Sequence, residues 1–103
     1  MIICSSKQES VTSALQILKD DPSIAFERVH AFQCDCSSKA QRVELLQKVQ
    51  DQFGRLDVLI LNHATITHVG NQMEITEEQY DTCMNVNLKS IFFMIQESLP
   101  LLK

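Results

Sequence analysis

Four short polar stretches carry the side chains best placed to do chemistry. Ser5-Ser6-Lys7, Asp35-Cys36 and Asn62-His63-Ala64 each follow an apolar run, and Asn87 lies within "CMNVNLKS". In open α/β sheets ligands bind beyond the carboxyl ends of strands, which is where the first three stretches fall. Strands also end in polar turn residues for conformational reasons alone, so the pattern by itself supports either a ligand site or plain turns. Asn87 is more specific. It is three residues after Met84 and four before Ile91, on or beside a helical apolar stripe. An inward amide left unpaired there costs about 1–3 kcal/mol, so it must have partners. Asn85, two residues earlier, points elsewhere.

Metal chemistry would have to draw on Cys34, Cys36, His30, His63 and His68. No C-x-x-C knuckle occurs, and His63 and His68 are five apart, not at the i, i+4 spacing that shares a helix face. The four cysteines, Cys4, Cys34, Cys36 and Cys83, read as free, buried thiols of an intracellular chain. His30 and His68 read as ordinary surface or strand-end residues.

The elements that must position these residues alternate. Ile2, Ile3 and Cys4 suit a buried parallel strand, and Val11, Ala14, Leu15 and Leu18 predict a helix from Glu9 to Lys19. Asp20-Asp21-Pro22-Ser23 ends it. "IAFERVHAFQCD" is a second strand candidate. Ser38 and Gln41 form a capping box for a helix running through Val43, Leu46, Val49 and Phe53, with Gly54 as its left-handed stop. Leu56 to Leu61 is the clearest strand. Thr76 and Gln79 make another capping box, followed by Tyr80, Met84, Leu88, Ile91, Ile95 and Leu99 at helical spacing towards Pro100. Strand and helix in alternation predict parallel β-α-β units.

Composition bounds what this fold serves. A chain of 103 residues, 45% apolar and 21% charged, is globular material for one domain or a piece of one. The net charge of −4 with scattered Lys and Arg disfavours nucleic-acid binding, which needs a phosphate-neutralising cluster of basic residues. No run approaches the roughly 20 residues of a membrane helix, and no secretory leader pattern opens the chain. Only two glycines occur, where average usage of about 7% would give about seven, an unusual shortage for a phosphate-binding α/β protein.

At these residues the sequence resembles the short-chain dehydrogenase/reductase family of Rossmann-type NAD(P)-dependent oxidoreductases. "LDVLILNHA" is similar to the family's strand ending in Asn-Asn-Ala-Gly, "MNVNLKSIF" to the helix carrying its catalytic asparagine, and "CDCSSKAQ" to its Asp-Val-Ser stretch beside adenine. "ICSSKQESV" and "LNHATITHVG" lean towards the tetrameric NADPH-dependent carbonyl and retinal reductases. The resemblance implies a partial Rossmann-like doubly wound parallel sheet over residues 1–103, with strands two to four of the family fold and their helices. The family's first strand and glycine-rich turn would precede Met1, and its Tyr-x-x-x-Lys pair would follow residue 103, which accounts for the glycine shortage. The only tyrosine here, Tyr80, has Met84 four residues later.

The same resemblance implies the site roles. Asp35 accepts from the adenine amino group, with a main-chain contact from Cys36. Asn62, His63 and Ala64 pass under the adenosine ribose, and Asn62 braces the sheet. Asn87 stabilises a bent helix and holds a relay water through its carbonyl. Ser5 stands in place of the acid of NAD-preferring members and Lys7 attracts a 2′-phosphate, favouring NADP(H); Ser6 stands where NADPH-preferring relatives often carry arginine. Leu61 and Ala64 replace the first Asn and the Gly of the ribose motif, and His63 occupies a small-residue position. The implied reaction is hydride transfer between NADPH and a carbonyl or alcohol substrate in a homo-tetramer, cytoplasmic by default. The 103 residues alone are expected to be inactive, with unpaired sheet edges. A non-catalytic product docking through the helix of residues 76–103 is the alternative.

Overall fold

Short apolar runs flanked by cap residues set the elements, and the first two pair side by side. Ile2–Ser5 forms strand β1 and His30–Gln33 forms β2, parallel, with Ile2 opposite His30 and Ser5 opposite Gln33. Helix α1, Gln8–Asp20, joins them, as a parallel pair requires a crossover. The computed structural model describes residues 1–102, which divide after Asp35 into two units. The fold is α/β.

In the first unit α1 turns Val11, Ala14, Leu15 and Leu18 inward, as its spacing predicts, with Val11 and Cys34 buried. Glu9 in its first turn and Lys19 in its last complement the helix dipole. After the helix, Asp21 Oδ1 accepts from the Ser23 amide at 2.9 Å and hydroxyl at 2.7 Å. These hydrogen bonds, the hydroxyl's first, hold the Asp21 carboxyl below its ordinary value of 3.8. A lowered folded value means that this turn's contribution is whole above pH 3.8 and is lost as pH falls through the folded value. The second strand is shorter than its sequence suggests. Phe26–Arg28 is a 3-10 turn, closed by Val29 N–H on the Phe26 carbonyl at 3.0 Å, so the extended chain begins only at His30.

In the second unit, helix α2 spans Lys39–Gln52 and begins at Ser38, whose hydroxyl accepts from the Gln41 amide at 3.4 Å. Its covered face is Arg42, Leu45, Leu46 and Val49; Val43 and Phe53, at the apolar positions through which the predicted helix runs, are about half exposed. A long helix then runs as α3 (Glu77–Met84), a π turn (Asn85–Lys89) and α4 (Ser90–Ser98). The Thr76–Gln79 capping box is complete. Of the predicted stripe, Tyr80, Met84, Leu88, Ile95 and Leu99 are exposed, while Ser90, Met94 and Ser98 are buried. Each buried serine donates to a carbonyl of the preceding turn, Ser90 to Val86 and Ser98 to Met94, so it needs no other partner for its proton.

Leu56–Leu61, the clearest strand by sequence, forms no ladder. Only Leu56 bridges, to Leu102, because no extended segment among the described residues lies beside 57–61. The chain there is nonetheless strand-like. Leu59, Leu61, His63, Thr65 and Thr67 are half-buried, whereas Val58, Ile60, Asn62, Ala64 and Ile66 between them are exposed. That is the period of two of an extended chain lying with one face covered. The four cysteines are thiols outside any disulfide, as expected, but Cys4 is exposed and only Cys34 of the four is buried.

Gly54, at φ +71°, closes α2 in the left-handed region. Gly54→Ala is expected to lower stability by about 1 kcal/mol in urea denaturation, since a Cβ is strained there.

Candidate functional site: an asparagine at a helix defect

In the first unit the sequence-predicted residues gather at the carboxyl ends of both strands. Ser5 ends β1; its carbonyl accepts from the Cys34 amide at 2.8 Å and its hydroxyl from the Lys7 amide at 3.4 Å. The Ser6 carbonyl accepts from Gln33 Nε2 at 2.8 Å, tying the turn after β1 to the end of β2. Lys7 is the N-cap of α1 and its side chain is exposed, without a capping hydrogen bond. Asp35 is half-buried just beyond β2. An ammonium at a helix start, beside hydroxyls, is suited to an anion.

In the second unit the site is built on the π turn. Asn87 Oδ1 accepts from the Thr65 amide at 2.8 Å, and its Nδ2 donates to the Thr65 carbonyl at 2.9 Å. The side-chain amide thus replaces a neighbouring strand, giving Thr65 both ladder bonds it would otherwise lack. Nδ2 also approaches Cys83 Sγ at 3.3 Å. The flanking residues of the same face are tied as well. His63 Nε2 lies 2.6 Å from Ser90 Oγ, and Thr67 Oγ1 donates to the Gln79 carbonyl at 2.9 Å. Since the one Ser90 hydroxyl proton goes to the Val86 carbonyl at 2.5 Å, Nε2 of His63 must be the donor to Ser90. The helix carries a widened turn at Asn85–Lys89, in which the Ser90 amide reaches back to the Asn85 carbonyl. Such π turns put a helix out of register and are frequent at functional sites.

The remaining predicted residues separate by face. Asn62 and Ala64 are exposed on the outward side of the extended segment, and His63 between them points the other way, to Ser90. Cys36 is half-buried, its carbonyl accepting from Arg42 Nη1 at 2.7 Å. Asn85 is exposed, as read from sequence. Thr65, Ser90, Arg42 and Glu97 are participants that the sequence reading passed over. Ser90, three residues after Asn87, and Arg42, three and four before Leu45 and Leu46, hold helical spacing with inward residues. That was the available signal. No group able to hold a metal ion occurs among the described residues.

Asn87→Ala removes both partners of the Thr65 backbone. A loss of about 2 kcal/mol is expected in urea denaturation, whereas Asn87→Asp, keeping the acceptor but setting a carboxylate against the Thr65 carbonyl, is expected to lose at least as much. Wild-type stability in both variants would contradict the pairing.

Known proteins match this chain in sequence and, among solved structures, in fold. The 3-oxoacyl-(acyl-carrier-protein) reductase FabG of Thermotoga maritima is 34% identical over 73 residues, 71% of this chain and 29% of its own length. A tropinone reductase homolog of Arabidopsis thaliana is 34% identical over 101 residues, 97% of this chain and 36% of its own. The chain therefore spans about a third of these relatives. Among solved structures, the NADP active-site complex of Pseudomonas aeruginosa RhlG superposes with a TM-score of 0.79 at 27% identity, over 97% of this chain and 37% of that one. Levodione reductase superposes at 0.83 and 19% identity, over 97% and 38%, a likeness of fold alone. The short chain dehydrogenase family model matches residues 1–103, the whole chain, and the protein belongs to that family.

Proposed function

We propose that these residues form the adenosine-binding portion of an NADP(H)-dependent oxidoreductase that interconverts carbonyl and alcohol substrates. The observation that carries this reading is the two-way hydrogen bond between Asn87 and Thr65 at the π turn, in a chain matched by the family model from end to end. RhlG, at 27% identity, was solved with NADP, which supports a nicotinamide cofactor.

The residues fit such a cofactor in the chemistry of their donors. In the first unit the exposed Lys7 ammonium and the Ser5 and Ser6 hydroxyls would bind a 2′-phosphate, with no acid at Ser5 to repel it. Asp35 would accept from the adenine amino group. In the second unit Cys36 would offer its main chain to adenine, and the outward face at Asn62 and Ala64, with the backbone of His63, would lie under the ribose. When bound, the cofactor supplies the hydride. Asn87 holds the helix defect open and keeps its main chain available to orient a proton-carrying water. Residues 1–103 contain no Tyr-x-x-x-Lys pair to serve as general acid, so turnover by these residues alone is not expected.

Lys7 gives the direct test. Titrated with NADPH and followed by cofactor fluorescence, Lys7→Ala should bind about fivefold more weakly, while NADH binding stays unchanged. Equal losses for both cofactors would remove Lys7 from the phosphate site. No response to NADPH by the wild type would sink the reading.

A second reading rests on the exposed apolar residues from Met84 to Leu99. Met84, Leu88, Phe92, Ile95 and Leu99 are 36–60% exposed along the long helix. Exposed apolar surface of this kind marks an interaction site, and we propose that it docks against the equivalent helix of another subunit, in keeping with a homo-oligomeric, tetrameric parent. Ile95→Lys is expected to abolish association in analytical ultracentrifugation; a monomeric wild type, or association unaffected by the lysine, would count against it.

A further inference from the structure

One buried cation has no place in the roles assigned above. Arg42 is 3% exposed, and each terminal of its guanidinium is engaged. Nε donates to Glu97 Oε2 at 3.0 Å and Nη2 to Glu97 Oε1 at 3.3 Å, a two-pronged pair linking α2 to α4. Nη1 donates to the Cys36 carbonyl at 2.7 Å. The guanidinium carbon also stands 5.7 Å from the centre of the Phe93 ring.

An ion pair between a buried guanidinium and a half-buried carboxylate is a poor source of net stability, because desolvating the charges costs much of what their attraction returns. Its better-attested use is to fix position. The planar fork of arginine allows this: two donors hold Glu97, which sets the orientation of the third, and that third donor has one target, the Cys36 main chain. From the cofactor reading above, on which this inference rests, we infer that Arg42 is a positioning residue for the adenine-binding turn. Glu97 aims Arg42, and Arg42 restrains the backbone on which Cys36 would present itself to the base. Lysine cannot reproduce the geometry, having one nitrogen where three donors are used.

Adenosine 2′,5′-bisphosphate, which carries the adenine and the 2′-phosphate, is the probe. Its binding to the 103-residue chain, to Arg42→Lys and to Glu97→Gln would be followed by NMR, together with the carbonyl carbon shift of Cys36. In both variants binding is expected to weaken about fivefold and the Cys36 carbonyl to move, with folded amide dispersion kept. Wild-type affinity in the variants, or a Cys36 carbonyl that does not move, would overturn the inference. If Arg42→Lys fails to fold, the near-isosteric Glu97→Gln decides. Failure of the wild type to bind the probe, by contrast, would remove the cofactor reading itself.

Discussion

A single side-chain amide does in this protein what a neighbouring strand does in a sheet. The Asn87 amide meets both backbone hydrogen-bonding groups of Thr65, within 2.8–2.9 Å. An extended segment with no ladder partner beside it would otherwise leave those groups to compete for water. Once Thr65 is fixed, the period of two brings His63 and Thr67 onto the same face, where Ser90 and the Gln79 carbonyl receive them. The outward residues Asn62 and Ala64 follow from the same alternation. The widening of the helix at Asn85–Lys89 belongs to this constraint, since Asn87 and Ser90 both engage the extended segment from within or beside that turn.

Polar groups in the interior of the second unit are satisfied by short-range or two-pronged bonding. Ser90 and Ser98 are fully buried, yet each returns its proton to its own helix. Arg42 and Glu97 are matched fork to carboxylate. No buried side-chain nitrogen or oxygen lacks a partner among the described residues. The covered faces of α2 and α4 therefore include charge and hydroxyls, while several large apolar side chains of the same helices face outward.

That inversion explains which parts of the structure could be read from sequence. Helix starts were legible because caps are local: Ser38 and Thr76 each bond the amide three residues on, and Gly54 sits in the left-handed region. The face of α1 was legible because Val11, Ala14, Leu15 and Leu18 have only one surface to cover. The stripe from Tyr80 to Leu99 was legible as a helix, but its spacing does not say which side is covered within the chain, and a π turn shifts the register between its halves. Arg42 was hidden because charge reads as solvent-facing until its partner, 55 residues away, is known. Leu56–Leu61 has strand composition, but a strand also needs a neighbour, and that is a non-local fact. Of the candidate site, Asn87 was legible as an inward amide requiring partners; Thr65 as the partner was not.

The most direct test is the scalar coupling transmitted through the hydrogen bond from the Thr65 amide nitrogen to the side-chain carbonyl carbon of Asn87. A resolved cross-peak between these two nuclei, with the Thr65 amide protected from exchange, is the expected result. No coupling, with that amide exchanging as fast as in an unfolded chain, would contradict the role given to Asn87 and the arrangement built upon it.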